Sequence, residues 1–140
     1  MNKRYIYATI ALILVVFATY EAFFRTDPKV EALNRAIATQ SDQALRRYPY
    51  PFHVMRMDGS IAVMGSPRSA EMPVSQMIRA IDPHLEGASP TDPDFVAAEQ
   101  QMAKLQFEAR AIVMKQPGVT GVRFELDKDW LQEHQIDTDQ

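Results

Sequence analysis

The side chains best suited to bind a metal ion or transfer protons in this 140-residue chain are three histidines and eighteen carboxylates. His53, His84 and His134 are far apart in sequence and fall on different predicted elements. In the segment "DPHLE", Asp82, His84 and Glu86 alternate, so an extended backbone would direct all three toward one ion. We interpret the segment as part of a solvated loop, because proline, glycine and aspartate are abundant around it.

Other motifs that carry catalysis are missing from the sequence. The carboxylate-rich segment "LDKDWLQEHQIDTD" lacks the glycine found in the middle of a calcium-binding hand. The chain has no phosphate-binding glycine loop, no nucleophile elbow and no H-E-x-x-H pair. It has no cysteine, which excludes thiolate chemistry, and its formal net charge of -3 argues against a nucleic-acid partner. We therefore predict a protein that is not an enzyme, with no catalytic residues, no metal and no cofactor.

The first segment has the composition of a membrane span. In "NKRYIYATIALILVVFATYEAFFR", Lys3 and Arg4 precede an apolar run from Tyr5 to Phe24 that only Glu21 interrupts. A helix of ~20 residues crosses the ~30 Å core of a bilayer, and this run is about that long. We predict residues 1–25 to be an uncleaved transmembrane anchor. The alternatives are a cleaved signal peptide, with "VFA" at 16–18 as its cleavage site, and a buried helix of a soluble domain.

The charges around this segment predict its orientation. Lys3, Arg4 and the terminal amine favour a cytoplasmic N-terminus, although Arg25 and Lys29 on the other side reduce the bias. We therefore expect residues 25–140 to lie outside the cytoplasm. In a bacterium the chain would be a single-pass protein of the inner membrane with a periplasmic domain.

The first part of the soluble region predicts a helix and a hairpin. The segment "TDPKVEALNRAIATQSDQALRRYPYP" is typical of one helix that Thr26 or Asp27 caps. Strands at 52–57 and 60–65 are predicted to turn at Asp58-Gly59. We expect one face of this hairpin to enter the core (Phe52, Val54, Ile61, Val63). The opposite face is also apolar (His53, Met55, Met57, Ala62, Met64), and a short helix over 74–81 is a candidate to cover it.

The rest of the chain predicts a long helix, a strand and a tail. The helix spans about 94–116 and has two apolar stripes, one continuous (Phe95, Ala98, Met102, Leu105, Ala109, Ile112) and one rotated well away from it (Val96, Ala103, Phe107, Met114). Because packing against one sheet needs only one stripe, the second stripe implies another contact, with the inserted helix, with a second copy of the chain or with a partner. Residues 118–126 are predicted to form a strand. Residues 127–140 are predicted to be a flexible acidic tail, which could begin with one helical turn and should fray after Ile136.

Two glycine motifs resemble a known family. "DGSIAVMG" places Ile61 and Val63 at alternate positions before Gly65, and "QPGVTGVRFEL" places Gly118 and Val119 after the long helix. Together, in the order helix, strand, strand, helix, strand, they resemble the BON domain (bacterial osmotically inducible and nodulation proteins) over residues 28–126. Residues 66–93 are longer than the connection that this family has. The chain carries a single copy, where family members often carry two or more.

The resemblance implies a fold and a class of function. The predicted fold is α+β: a transmembrane helix, then an αββαβ BON-like domain over residues 26–126, with an inserted short helix within 66–93. The family implies a non-enzymatic module of the bacterial envelope that binds phospholipid surfaces, membrane-protein partners or small ligands. We interpret Gly59, Gly65, Gly118 and Gly121 as turn and fold residues.

Charge and apolar surface suggest the interactions. Residues 25–79 hold eight basic and five acidic side chains, a net of +3, whereas residues 80–140 hold five and twelve, a net of -7. Our leading hypothesis is an envelope interaction module with lipid-facing cations (Arg25, Lys29, Arg46, Arg47) and partner-facing apolar residues (Val96, Phe107, Met114, Met77, Ile78). The alternatives are an accessory subunit of a larger membrane complex that acts mainly through its transmembrane helix, and a small-ligand or ion sensor.

Overall fold

The computed structural model describes residues 2–70, 72 and 74–136. The first helix, α1 (Lys3–Phe24), leads into α2 (Pro28–Gln40) and α3 (Gln43–Arg47). Two strands follow, β1 (Val54–Asp58) and β2 (Ile61–Ser66), and then α4 (Val74–Ile81) and a 3-10 turn (Pro83–Leu85). The long helix α5 (Pro93–Met114), β3 (Gly121–Leu126) and α6 (Lys128–Glu133) complete the order. The molecule is thus mixed α and β, with an apolar N-terminal helix and a small three-stranded sheet.

Residues 3–22 of α1 contribute nothing to the core of the rest of the chain. The segment Lys3–Ala22 has a mean hydropathy of 1.7 over its most apolar window, and none of that window is buried. Its 22 residues extend for about 33 Å at ~1.5 Å per residue, which matches the thickness of a bilayer core. The helix is therefore long and apolar enough to cross a membrane. The alternative of a buried soluble helix does not agree with its exposure.

The single helix predicted after the anchor is wrong, because it is two helices. The carboxylate of Asp27 caps α2 by accepting a hydrogen bond from the Lys29 amide at 2.9 Å, as the sequence predicts. Helix α2 then stops at Ser41, and Asp42 caps α3 by accepting from the Leu45 amide at 2.9 Å. A serine and an aspartate in succession hydrogen-bond locally and so compete with continuation of the helix.

The sheet has the order β1-β2-β3, with β1 antiparallel to β2 and β3 parallel to β2. Asp58 pairs with Ile61, so the two loop residues are Gly59 and Ser60 rather than Asp58 and Gly59. Gly59 has a φ of +59°, the positive value that the turn requires. Parallel neighbours need a long crossover, and residues 67–120, which include α4 and α5, supply it.

The predicted assignment of hairpin faces is partly wrong, because β1 contains a bulge. The register shifts between Val54 and Arg56, so Val54 pairs with Met64 while Arg56 pairs with Val63. An extra residue in one strand reverses which face the side chains beyond it occupy. Val54 therefore shares the core face with Ala62 and Met64, whereas Ile61 and Val63 lie on the opposite face. The methionine-bearing face expected to need a cover is thus the core face itself.

Helices α2 and α5 pack on the core face of the sheet, and α4 packs against α5. The first α5 stripe enters the core as predicted, with Phe95, Met102, Leu105 and Ala109 all at most 2% exposed. Met77 and Ile78 of α4 are 0% and 1% exposed and belong to the same core. Our prediction that these two residues face a partner is therefore wrong: α4 uses its apolar face inside the molecule.

The tail predicted over 127–140 is folded rather than flexible over residues 127–136, and the helical turn expected at its start is present as α6 (Lys128–Glu133). The Asp127 amide donates to the Ser66 carbonyl at 2.8 Å, and Asp127 then caps α6. Trp130 and Leu131 are buried in the common core, because the first turn of α6 folds back on the residues before β1. Residues 137–140 of the predicted tail lie outside the described residues.

Candidate interaction surfaces

A buried hydrogen-bonded cluster joins the hairpin to α6. Tyr50 is fully buried and its hydroxyl donates to Asp127 Oδ2 at 2.9 Å, while Oδ1 accepts from the Trp130 amide at 3.1 Å. Burial, and then the adjacent Asp127 carboxylate, raise the pKa of Tyr50 far above its usual range. Tyr50 therefore remains a neutral donor at physiological pH. The hydrogen bond to Asp127 makes the Tyr50 hydroxyl a structural link between the segment before β1 and α6.

His53 lies at the edge of this cluster. Its Nδ1 atom is 2.7 Å from the Pro51 carbonyl oxygen, and its Nε2 atom is 3.6 Å from Asp127 Oδ2. Sequence reasoning missed the cluster because Asp127 was assigned to the tail. The local signal was an aspartate three residues before the only tryptophan, the spacing of a helix cap over an apolar first turn.

The glycines of both motifs occupy crowded or turned positions. Gly118 has a φ of +77° and lies against the Lys29 side chain, and Gly59 makes the hairpin turn. A Cβ atom on Gly65 would lie 2.5 Å from the Tyr50 hydroxyl, and one on Gly121 would lie 2.7 Å from Ile61 Cδ1. All four glycines therefore have a place in the fold, as predicted.

The alternating residues of "DPHLE" form a turn rather than an extended strand. The Asp82 carboxylate accepts a hydrogen bond from the His84 amide at 3.1 Å and caps the 3-10 turn. Within the part of the chain that the structure describes, no group of three metal-ligating side chains converges. The carboxylate of Asp82 thus serves the turn itself.

A cavity of about 360 Å³ lies between α3, α4 and α5. Ile78, Ile81 and Ala98 form its apolar wall, and Tyr48 and Asp82 stand on its polar rim. Burial, together with the charge of Asp82, raises the pKa of Tyr48 to about 12. The Tyr48 hydroxyl therefore stays protonated at neutral pH. Arg47, His84 and Gln101 also line the cavity, which thus combines an apolar wall with polar groups at a size that suits a small ligand.

The four candidate lipid-facing cations lie in two places. Arg25 follows α1 and forms an ion pair with Glu21 at 3.7 Å, and Lys29 donates to the Gly118 carbonyl at 3.0 Å. Arg46 and Arg47 are exposed in the last turn of α3, where cations complement the helix dipole. Neither of these two arginines forms an ion pair within the described residues. Lys29 is thus a structural residue, and Arg46 and Arg47 are the exposed pair.

A cleft next to the end of α1 adds one cation that the sequence did not indicate. Arg25, Thr26 and Asp27 line it together with Met55, Arg56 and Met57 of β1, and its volume is about 460 Å³. The Arg56 guanidinium also binds Glu125 at 2.6 Å on the outer face of the sheet. Two guanidinium groups and two thioethers therefore lie close to the residues that follow α1.

The second stripe of α5 lies on the surface. Phe107 is 69% exposed and Val96 is 36% exposed, while Ala103 and Met114 are half-buried. Outside α1, Val96 and Phe107 are the exposed large hydrophobic side chains of the described residues. Of the three α5 residues predicted to face a partner, Val96 and Phe107 are thus exposed and Met114 is half-buried.

Comparison of the chain with protein-family models, with curated proteins and with solved structures finds no match. The function must therefore be inferred from the residues and the geometry described above.

Proposed function

We propose that this chain is a single-pass membrane protein whose soluble domain is an interaction module held at a membrane surface. The observation that carries this proposal is α1, a helix of bilayer length that is wholly exposed over Lys3–Ala22. Only residues 25–27 separate α1 from α2, so the domain begins directly beside the headgroups. In a bacterial cell the domain would lie in the periplasm, because Lys3 and Arg4 on the N-terminal side of α1 favour the cytoplasm for that side.

We propose further that the domain is BON-like. Support comes from the observed sequence of elements, in which a helix, a hairpin, a long helix and a strand follow one another. The glycines of the two motifs lie at or next to two adjacent strands: Gly59 precedes β2, Gly65 lies near its end, and Gly118 precedes β3, which lies parallel to β2. Helix α4, within the long connection 66–93, is an addition to that pattern, and it is incorporated into the core.

The lipid-binding part of the proposal rests on cations beside the anchor. Arg25 and Arg56 line the cleft next to the membrane exit, and Arg46 and Arg47 stand exposed on α3. Each basic side chain near an anionic surface contributes about 1 kcal/mol of attraction within a Debye length. Several such cations would hold the domain against anionic headgroups while α1 holds the chain in the bilayer.

Liposome flotation tests the lipid-binding part. Residues 25–140 contain the whole core, and circular dichroism verifies that this fragment folds. We expect it to float with vesicles that contain anionic lipid, to remain unbound with neutral vesicles, and to lose binding as salt is raised. The Arg46→Gln/Arg47→Gln variant should bind more weakly than the control Arg35→Gln/Arg68→Gln, which removes the same charge elsewhere. Equal binding to both kinds of vesicle, or none, would contradict lipid recognition.

A further inference from the structure

The second stripe of α5 runs from Val96 near the start of the helix to Met114 at its end. At about 100° per residue, Val96, Ala103 and Met114 lie within about 40° of the line through Phe107. The buried residues of α5 occupy other faces of the same helix, so this stripe is not needed to cover the sheet. A 69% exposed phenylalanine at the centre of such a stripe indicates a contact surface.

The stripe is complementary to itself when two copies cross antiparallel. With a two-fold axis at the level of Leu105, Phe107 of one copy lies opposite Ala103 of the other, and Val96 lies opposite Met114. Each large ring thereby meets a small residue, as close packing of helices requires. A parallel pair in register would instead place Phe107 against Phe107.

The charged residues beside the stripe are also complementary under the same two-fold axis. Glu99 and Arg110 lie on one flank of the stripe, and Lys104 and Glu108 lie on the other. None of these four side chains forms an ion pair with another described residue. An antiparallel two-fold arrangement brings like flanks together, so Glu99 lies opposite Arg110 and Lys104 lies opposite Glu108. In a parallel pair, unlike flanks would meet instead.

We infer that α5 binds α5 of a second copy of this chain, antiparallel, through Val96, Ala103, Phe107 and Met114. The inference deepens the proposed function, because it names the protein partner of the module, and it rests on the membrane anchoring proposed above. Two chains confined to one membrane meet at a high effective concentration, which favours an interface as small as one helix pair. A two-fold axis along the membrane normal keeps both anchors on the same side.

Disulfide cross-linking of the full chain tests this arrangement, because the natural sequence has no cysteine. Gln100→Cys and Ala111→Cys are placed in two differently tagged copies that are coexpressed. Both positions are exposed on the stripe and carry neither a large apolar group nor a charge. In the antiparallel pair the two cysteines lie opposite each other, whereas two copies of either variant alone are offset by about 16 Å along the axis.

Mixed cross-linking in isolated membranes, with little from either variant alone, is the expected result. Cross-linking of each variant with itself, or none in any combination, would overturn the inference. Fractionation of the same cells distinguishes failure of the helix pair from failure of the proposed membrane anchor. A chain found in the membrane without mixed cross-links contradicts only the helix pair. A chain found in the soluble fraction contradicts the anchor.

Four further variants keep the test specific. Phe107→Ala, at an exposed site, should lower the mixed cross-link by about tenfold without loss of the fold, and Gln101→Ala, on another face of α5, should leave it unchanged. Glu99→Arg should also weaken the cross-link, and Glu99→Arg/Arg110→Glu should restore it, because the second change recreates both opposite-charge pairs. Failure of this restoration would contradict the antiparallel alignment.

Discussion

The hydroxyl of Tyr50 donates a 2.9 Å hydrogen bond to the buried carboxylate of Asp127, and this bond joins the segment before β1 to the first residue after β3. The two residues are 77 positions apart in sequence. The bond thereby fixes the segment that enters the sheet to the segment that leaves it. The C-terminal helix is thus part of the domain rather than an appendage.

Loss of this hydroxyl should destabilise the domain. Tyr50→Phe leaves a buried carboxylate without its donor, and we expect the free energy of unfolding to fall by about 1–3 kcal/mol. Tyr48→Phe is the matched control, because the described residues provide no hydrogen-bond partner for the Tyr48 hydroxyl, and its effect should be smaller. Urea unfolding followed by Trp130 fluorescence measures both. Equal losses in the two variants would show that the bond to Asp127 contributes nothing.

The stability of the domain should fall in alkaline solution. The folded state raises the pKa of Tyr48 to about 12 and that of Tyr50 still further, whereas the tyrosines of the unfolded chain titrate near ~10. Above pH ~10 the unfolded chain releases protons that the folded state retains, so each increase in pH favours unfolding. We expect constant stability from neutral pH to about pH 9 and a steady loss above it. Urea midpoints measured between pH 8 and 11 check this, and a flat profile would contradict it.

The space around Gly65 should be less tolerant of substitution than the space around Gly121. A methyl group at Gly65 would meet Tyr50, Asp127 and His53, which hydrogen bonds hold in place, and overpacking of this kind costs about 1–3 kcal/mol. At Gly121 the nearest atom is the end of the Ile61 side chain, which can rotate away. Thermal unfolding of Gly65→Ala and Gly121→Ala should therefore show the larger loss for Gly65→Ala, and the reverse order would refute this account of the contact.

Helix α6 should contribute to the stability of the domain. Leu131 is fully buried and its neighbour Gln132 is exposed, so the two positions form a matched pair on one helix. Leu131→Ala should cost about 2–5 kcal/mol through lost burial and the cavity it leaves, and Gln132→Ala should be nearly neutral. Chemical denaturation of both variants measures the change in the free energy of unfolding. A negligible effect of Leu131→Ala would restore the prediction of a loosely attached tail.

Local sequence signals predicted where the helices begin and end better than they predicted which residues pair across the sheet. The caps Asp27 and Asp92 and the bounds of α4 follow from residues within one turn of each helix, and the structure has them as expected. The bulge beside Met55 depends on which residues of β2 and α2 are available, and period-two alternation does not contain that information. The bulge therefore places Ile61 and Val63 on the face of the sheet opposite to the one predicted.

The exposure of a candidate site residue was predictable only where it depends on a single helix. The two stripes of α5 are properties of a single helix, and Phe107 is exposed as its stripe implied. Met77 and Ile78 have the same amphipathic pattern, but their burial depends on the packing of α4 against α5. Asp127 was missed because its partner Tyr50 is distant in sequence.

The measurement that most directly tests the membrane-anchored arrangement is thiol labelling of single-cysteine chains in spheroplasts. Gln132→Cys reports on the soluble domain and Asn2→Cys on the N-terminal tail, and a membrane-impermeant maleimide is the probe. Our account predicts that the chain remains in the carbonate-washed membrane fraction, that Gln132→Cys reacts in intact spheroplasts, and that Asn2→Cys reacts only after lysis. A chain released to the soluble fraction, or a Gln132→Cys that reacts only after lysis, would contradict it.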